Sequence, residues 1–167
     1  MNRRLISIIA LATALVAPPA MADEAQFLST LKGSWKGTGT VTTRIGARPI
    51  KVNCTFDSAA SGPSLRMNGT CRGLVVVRRA ISADLSANGA RYRGNYVGPS
   101  GRPSALSGSR NGNSINLAIR WTRDINGDRE AAMTITKVGN SGLRLRTTDK
   151  DGAGGPTVVT ADINLTR

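Results

Sequence analysis

Turn residues recur about every ten positions from residue 34 to the end of the chain, and they separate short apolar and β-branched runs. Asn88-Gly89, Asn111-Gly112 and Asn126-Gly127 are examples, and Ser61-Gly62-Pro63 is another. Such residues supply the positive or fixed φ angles that tight turns require. Because connections this short join antiparallel neighbours, the sequence predicts a meander of consecutive strands.

A single segment, Asp23 to Leu31, has helical character, with Phe27, Leu28 and Leu31 on one face and acidic residues at its start. A long meander without crossover helices closes most naturally into a barrel, which leaves no unpaired edge. We therefore predict an all-β fold, an antiparallel up-and-down barrel of about 8–10 strands with a short N-terminal helix. The predicted strands are about 34–44, 49–57, 64–72, 74–82, 90–97, 104–110, 113–122, 129–138, 142–149 and 157–166.

Alternation along the strands separates residues that face the interior from those that face outward. Tyr92 and Tyr96 share one face of their strand, whereas Arg91 and Arg93 share the other. By the same rule Trp121 faces inward, and we expect the arginines to lie mostly outside. The remaining predicted inward positions are Ile115, Leu117, Ile119, Ala132, Leu143, Leu145, Val159, Ala161, Ile163 and Leu165, and the predicted outward arginines include Arg120, Arg144 and Arg146.

The two cysteines, Cys54 and Cys71, lie at equal distances from the turn at Gly62-Pro63. In an antiparallel hairpin centred there, the two residues face each other directly across the ladder. We predict that they form a disulfide, as expected of an exported chain. The chain has no histidine and no C-x-x-C motif, which argues against a metal or redox role for these thiols.

The N-terminus has the pattern of a secretory signal peptide. Arg3 and Arg4 precede an apolar run from Leu5 to Val16, and Ala20-Met21-Ala22 provides small residues for cleavage. The run is too short to span a bilayer, so we do not expect a transmembrane protein. We predict a signal peptide at 1–22, one barrel domain at 23–167, and a periplasmic or secreted location.

The chain carries a net charge of +13, which becomes +11 when Arg3 and Arg4 are removed with the leader. Such a charge favours attraction to polyanions, and lipopolysaccharide or anionic lipid is the partner expected of an exported protein. A solvated basic exterior that keeps the protein soluble is the alternative. Nucleic acid is not an expected partner, because the tyrosines and arginines of Arg91–Tyr96 project from opposite faces.

No catalytic constellation is visible, since histidine is absent and the acidic residues cluster in turns. We therefore expect a binding protein and not an enzyme. The segment from Asp124 to Glu130 has oxygen side chains at alternate positions that could hold calcium, although its spacing departs from the known loop pattern. A hairpin turn at Asn126-Gly127 explains the same residues.

The motif G-x-W-x-G-x-G, formed by Gly33, Trp35, Gly37 and Gly39, resembles the first strand of calycin barrels, the group of lipocalins, fatty-acid-binding proteins and nitrobindin-like proteins. The resemblance implies that a short helix covers one end of the barrel. It also implies a basic residue packed on Trp35, for which Arg167 is the candidate, with Arg144 and Arg146 as alternatives. Nitrobindin-like proteins bind haem iron through a histidine, so we expect no haem here.

Together these features predict a lipocalin-like binding protein for a small apolar or amphipathic ligand. The candidate ligand-binding residues are the large inward aromatics Trp35, Tyr92, Tyr96 and Trp121. The alternative is a module that acts through its outer surface, in envelope interaction or protease inhibition, around a solid core. The sequence does not name the ligand.

Overall fold

A computed structural model describes residues 19–74 and 76–167. A helix, α1, precedes ten antiparallel strands that close into a barrel in which each strand pairs with its neighbours in sequence and β1 pairs with β10. The all-β barrel with a short N-terminal helix is thus confirmed. The elements are α1 Pro19–Ser29, β1 Gly33–Val41, β2 Ile50–Ser61, β3 Ser64–Gly73, β4 Val77–Asn88, β5 Arg91–Val97, β6 Pro103–Asn111, β7 Ser114–Ile125, β8 Asp128–Val138, β9 Gly142–Lys150 and β10 Thr157–Thr166.

Most of the predicted signal peptide, residues 1–18, lies outside the described residues. The predicted cleavage point after Ala22 falls within α1. Among the described residues, no helix is long and apolar enough to cross a membrane.

The disulfide prediction is confirmed. Cys54 and Cys71 are paired in the β2–β3 register and are bonded, with an S–S distance of 2.01 Å. Both side chains are buried in the barrel, so the bond joins two neighbouring strands from the interior.

The structure differs from the predicted strands at several bounds and in the direction of two side chains. β4 begins at Val77 and not at residue 74. The sequence does not reveal the connection before it, because that connection contains none of the usual turn residues. Val159 faces outward, since a bulge between Val159 and Ala161 reverses the alternation and places Val159 opposite Thr148. Ala132 also faces outward, opposite Ala118, and Ala131 is the inward residue of that strand.

The glycines of β1 allow a close approach of β10. A Cβ atom at Gly37 would lie 2.0 Å from the carbonyl oxygen of Asn164, and one at Gly39 would lie 2.2 Å from that of Asp162. No side chain can be accommodated at these distances. Gly37 and Gly39 therefore let the first and last strands close the barrel.

The two ends of the barrel differ. At the closed end, α1 packs against β2, β3 and β4, and Leu28 and Leu31 are fully buried. At the open end lie five connections, 42–49, 74–76, 98–102, 126–127 and 151–156. These two names are used below.

Candidate functional site

Trp35 lies at the closed end and is 1 % exposed. Its indole Nε1 donates a hydrogen bond to the carbonyl of Leu31 at 3.0 Å. The guanidinium of Arg167 lies 4.7 Å from the ring centroid, and the ammonium of Lys137 lies 5.8 Å from it. Arg167 thus takes the position expected of the basic residue, and its guanidinium is fixed by hydrogen bonds to the carbonyls of Lys32 (2.5 Å) and Asn140 (3.1 Å).

Tyr92 also lies at the closed end, where it helps to anchor α1. Its hydroxyl donates a hydrogen bond to the buried carboxylate of Glu24, which also accepts from Nε of Arg110 at 2.9 and 3.0 Å. Arg110 pairs with Asp23 as well, and its guanidinium lies 4.7 Å from the centroid of the Phe27 ring. Burial and the bond to Glu24 raise the pKa of Tyr92. These contacts clamp the helix onto the barrel.

Lys137 is a buried cation at the closed end. Its side chain is buried and donates to the carbonyl of Gly139 at 2.5 Å. Burial lowers the pKa of Lys137, and the neighbouring charge of Arg167 lowers it further. The side chains of Lys137 and Arg167 therefore pack on Trp35 and fill the closed end.

Tyr96 and Trp121 lie near the open end, with their ring centroids 6.2 Å apart and their planes tilted by 57°. The Tyr96 ring rests on Gly98, where a Cβ atom would lie 2.8 Å from Cε1 of the tyrosine. Burial raises the pKa of Tyr96 to about 12. The Nε1 atom of Trp121 is buried and has no hydrogen-bond partner among the described residues.

The structure therefore separates the four candidate ligand-binding aromatics into two pairs. Trp35 and Tyr92 are enclosed at the closed end with their polar atoms hydrogen-bonded. Tyr96 and Trp121 are only partly buried and touch each other near the mouth of the barrel. The second pair is the better candidate for contact with a ligand.

Aliphatic side chains continue the surface around this second pair. They come from inward-facing positions and are partly exposed while packing against the core. Four lie in the half of their strand towards the open end, and the fifth, Leu145, lies near the middle of β9. We call this group, together with Tyr96 and Trp121, the mouth. Its aliphatic members are Val41, Ile50, Ile81, Ala131 and Leu145.

One side of the mouth is organised by Asn126. Its Nδ2 donates to Oδ2 of Asp149 at 2.8 Å, and its Oδ1 accepts from the backbone N–H of Ile45 at 3.3 Å. Its carbonyl accepts from the N–H of Gly152 at 3.0 Å. Asn126 thus joins three connections of the open end and holds the β7–β8 turn against the other two.

Arginines lie at the rim beside the mouth. Nε of Arg129 donates to the carbonyl of Trp121 at 2.9 Å, and exposed Arg79 lies opposite Cys71 in the register. On the outer wall, by contrast, Arg144 is paired with Asp162, and this bond lowers the pKa of the aspartate. Further outer-wall pairs join Arg66 to Asp84 and Arg120 to Glu130.

The segment considered for calcium is a hairpin turn. Asn126 and Gly127 have φ angles of 54° and 100°, as its tip requires. The Asp128 carboxylate accepts from the N–H of Glu130, and Glu130 is paired with Arg120. Within the described residues, no three acidic or cysteine side chains are grouped as metal ligands.

A shallow groove of about 420 Å³ runs along the outer wall across β6 to β9. Arg120 and Glu130 border it, and small side chains form its floor, including Ala105, Ser107, Ala118, Ala132 and Thr148. A second groove lies on the outer wall of β2 to β5. The second groove shares no residue with the mouth, whereas Ala131, which faces the mouth, also borders the first groove.

Sequence reasoning missed Glu24, Arg110 and Asn126. Glu24 was visible only as an acidic residue at a helix start, and its partner Arg110 is 86 residues away. Asn126 was recognised as a turn residue, but a turn motif carries no information about the loops that its amide reaches.

No family model matches the chain, and no curated protein matches it. Among solved structures, Rv2717c from M. tuberculosis is similar with a TM-score of 0.67 and 19% identity, over 90% of this chain and 98% of that chain. The S-type phycobiliprotein lyase CPES from Guillardia theta is similar with a TM-score of 0.55 and 14% identity, over the same shares of the two chains. These likenesses show the fold: a closed, calycin-like β-barrel.

Proposed function

We propose that the protein binds a small amphipathic molecule at the mouth of the barrel. The supporting observation is the aromatic pair of Tyr96 and Trp121, which faces inward and is partly buried. The indole N–H of Trp121 has no hydrogen-bond partner among the described residues. The adjacent aliphatic residues provide an apolar surface for the body of the ligand. Arg129 and Arg79 provide positive charge at the rim for its polar group.

The indole N–H of Trp121 narrows the chemistry of the ligand. A buried donor without a partner costs about 1–3 kcal/mol, and a bound molecule that displaces the side chains over the donor and offers it an acceptor atom removes that cost. A carboxylate, carbonyl or sulfonate meets this need and is also attracted by the arginines. The proposed ligand is therefore an apolar molecule with an anionic or strongly accepting group.

Export to the periplasm or beyond is part of this proposal. It is supported by the leader pattern at residues 1–22 and by the disulfide, which persists in oxidising compartments. A protein retrieved from its own periplasm and examined by native mass spectrometry should carry a small molecule. A mass equal to that of the bare chain would count against the proposal.

The sharpest test uses two neighbouring alanines that face opposite sides of β8. Ala131→Phe fills the mouth and should abolish the fluorescence increase of anilinonaphthalene sulfonate, an apolar anionic probe. Ala132→Phe places the same ring on the outer wall and should leave probe binding unchanged. Equal binding by the parent and Ala131→Phe would refute a site in the mouth.

A second substitution addresses the hydrogen bond. Trp121→Phe keeps an aromatic ring but removes the donor, so it should weaken the probe's binding about tenfold, in line with the loss of one hydrogen bond to a charged group. Binding of an uncharged apolar probe of similar size should change much less. Equal losses for both probes would mean that the indole contributes only its surface.

The alternative, a module that acts through its outer surface, is favoured by the groove on β6 to β9. In that case Ala132→Phe, whose ring would lie in the groove, would impair function more than Ala131→Phe, whose ring faces the interior. One structural neighbour is a lyase by name, so this fold serves catalysis as well as binding. We propose binding because the aromatic pair at the mouth and its unpartnered indole N–H favour it.

A further inference from the structure

The connection between β3 and β4 presents apolar side chains to solvent at the open end. Leu74 is 64% exposed, Val76 is 83% exposed and Val77 is 36% exposed. The N–H of Val76 donates to the carbonyl of Leu74 at 2.7 Å, so the connection is tight. We call Leu74, Val76 and Val77 the apolar tip.

The apolar tip is not what the turn itself requires. Every other connection between consecutive strands contains at least one glycine, and this one contains none. Leu74 has a φ of 48°, a left-handed conformation that glycine or asparagine adopts with less strain than leucine. Leucine at this position is therefore unfavourable in two ways, because its apolar side chain is exposed to water and its backbone is strained. A partner that covers the side chain would offset the first cost.

Positive charge surrounds the apolar tip. Arg72 and Arg78 lie opposite each other across the β3–β4 ladder, and Arg79 follows. Like charges directly opposite destabilise a sheet, and none of the three pairs with a carboxylate within the described residues. The cluster is therefore suited to an anionic partner.

The size of the patch points to a lipid surface. A stable protein interface buries roughly 800 Å² on each partner, far more than three side chains at a turn provide. Membrane binding needs no such area, because hydrophobic insertion and electrostatic attraction act together. Apolar side chains enter the acyl region while neighbouring arginines contact the headgroup phosphates.

We propose that the apolar tip inserts into a bilayer that contains anionic lipid, with Arg72, Arg78 and Arg79 at the headgroups. This inference does not depend on the proposed ligand, since it holds for an empty barrel. It also orients the molecule, because the apolar tip and the mouth share the open end. A bound amphipathic molecule would then exchange directly with the membrane.

The test is co-sedimentation with vesicles of phosphatidylcholine, with and without phosphatidylglycerol. The parent should bind only the mixed vesicles, and its binding should weaken as salt shortens the Debye length to about 8 Å at physiological ionic strength. Leu74→Asn combined with Val76→Ser should weaken binding at least about tenfold, because two apolar side chains would no longer be buried in the acyl region. Asparagine suits the positive φ, so this variant should fold as well as the parent. Arg78→Gln should weaken binding about fivefold at low salt.

A matched control lies at the closed end, where Val138 is 52% exposed. Val138→Ser combined with Arg91→Gln removes one exposed apolar side chain and one arginine there, and should leave vesicle binding unchanged. Parent protein that ignores the mixed vesicles at low salt would overturn the proposal. So would equal losses in the open-end and closed-end variants.

A reporter at each end gives an independent readout. The added indole of Val76→Trp should be quenched by brominated acyl chains, whereas that of Val138→Trp should not. Quenching of neither reporter when the protein is vesicle-bound would contradict insertion of the apolar tip. Probe binding by Leu74→Asn, Val76→Ser separates this inference from the proposed function, because the mouth is intact in that variant and should still bind anilinonaphthalene sulfonate.

Discussion

The two ends of the barrel use the same residue types for different purposes. At the closed end, Trp35 and Tyr92 are buried and their polar atoms are bonded to Leu31 and Glu24. At the open end, the corresponding pair of Trp121 and Tyr96 is partly exposed, and the indole N–H lacks a partner among the described residues. An aromatic residue on an inward position is therefore not by itself a sign of a ligand site. What distinguishes the two pairs is whether their polar atoms are satisfied and whether solvent reaches their rings.

The largest expected difference between the two ends is in stability. Trp35→Ala should lower the free energy of unfolding by about 3–5 kcal/mol, because it opens a cavity beneath α1 and removes the stacking surface of Arg167. Trp121→Ala should cost clearly less, since its ring is already partly exposed. Denaturant titrations of the two variants measure both values. Equal losses would mean that the open end is packed as tightly as the closed end.

The disulfide should contribute about 3 kcal/mol, as expected for the loop it closes in the chain-entropy estimate. Replacing Cys54 and Cys71 together by alanine should therefore shift the denaturant midpoint strongly, with little effect on probe binding at the mouth. Thiol titration of the denatured, unreduced parent should detect no free thiol. Two reactive thiols per chain would show that the bond does not form.

Glu24→Gln tests the clamp of the closed end. Its side chain would no longer offer a carboxylate to Tyr92 and Arg110, and the free energy of unfolding should fall by about 1–3 kcal/mol. Hydrogen exchange of α1 should become faster while probe binding at the mouth stays the same. Loss of probe binding would show that the two ends are coupled.

The smallest expected effect is on stability at alkaline pH, where the two tyrosines titrate. Tyrosine in an unfolded chain has a pKa of about 10. In the folded protein burial raises the pKa of Tyr96 to about 12, and the pKa of Tyr92 is raised as well. Both groups hold their protons more tightly in the folded protein, so their contribution to stability is complete below about pH 10 and is lost as the pH rises through the folded pKa values. Tyrosinate absorbance should show no transition near pH 10 in the folded protein. Tyr96→Phe should remove the transition near pH 12.

Much of the barrel was predictable from the sequence, because turn residues and alternation act locally. The Cys54–Cys71 register follows from symmetry about Gly62-Pro63, and the inward position of Trp121 follows from its neighbours. The errors have local causes that the sequence hides. The extra residue of a bulge reverses the face of Val159, and the β3–β4 turn is made of residues that favour strands.

The site was less predictable than the fold. Alternation placed Tyr92, Tyr96 and Trp121 inside, and the glycine motif did the same for Trp35. Their division between the two ends depends on which end α1 covers and on polar partners far away in the sequence. Glu24 meets Tyr92 across 68 residues and Arg110 across 86. Such contacts exist only after the sheet has closed, and no short motif encodes them.

The pairing of the first strand with the last has a consequence for how the protein is made. Arg167 bonds to Lys32 across 135 residues, and β1 lies between β2 and β10. The outer edge of β1 stays unpaired until the final strand has been synthesised, so no partial chain can complete the barrel or cover Trp35. Barrel closure is therefore a late, long-range step, which slows folding and leaves an incomplete chain with an exposed edge that proteases and chaperones can recognise.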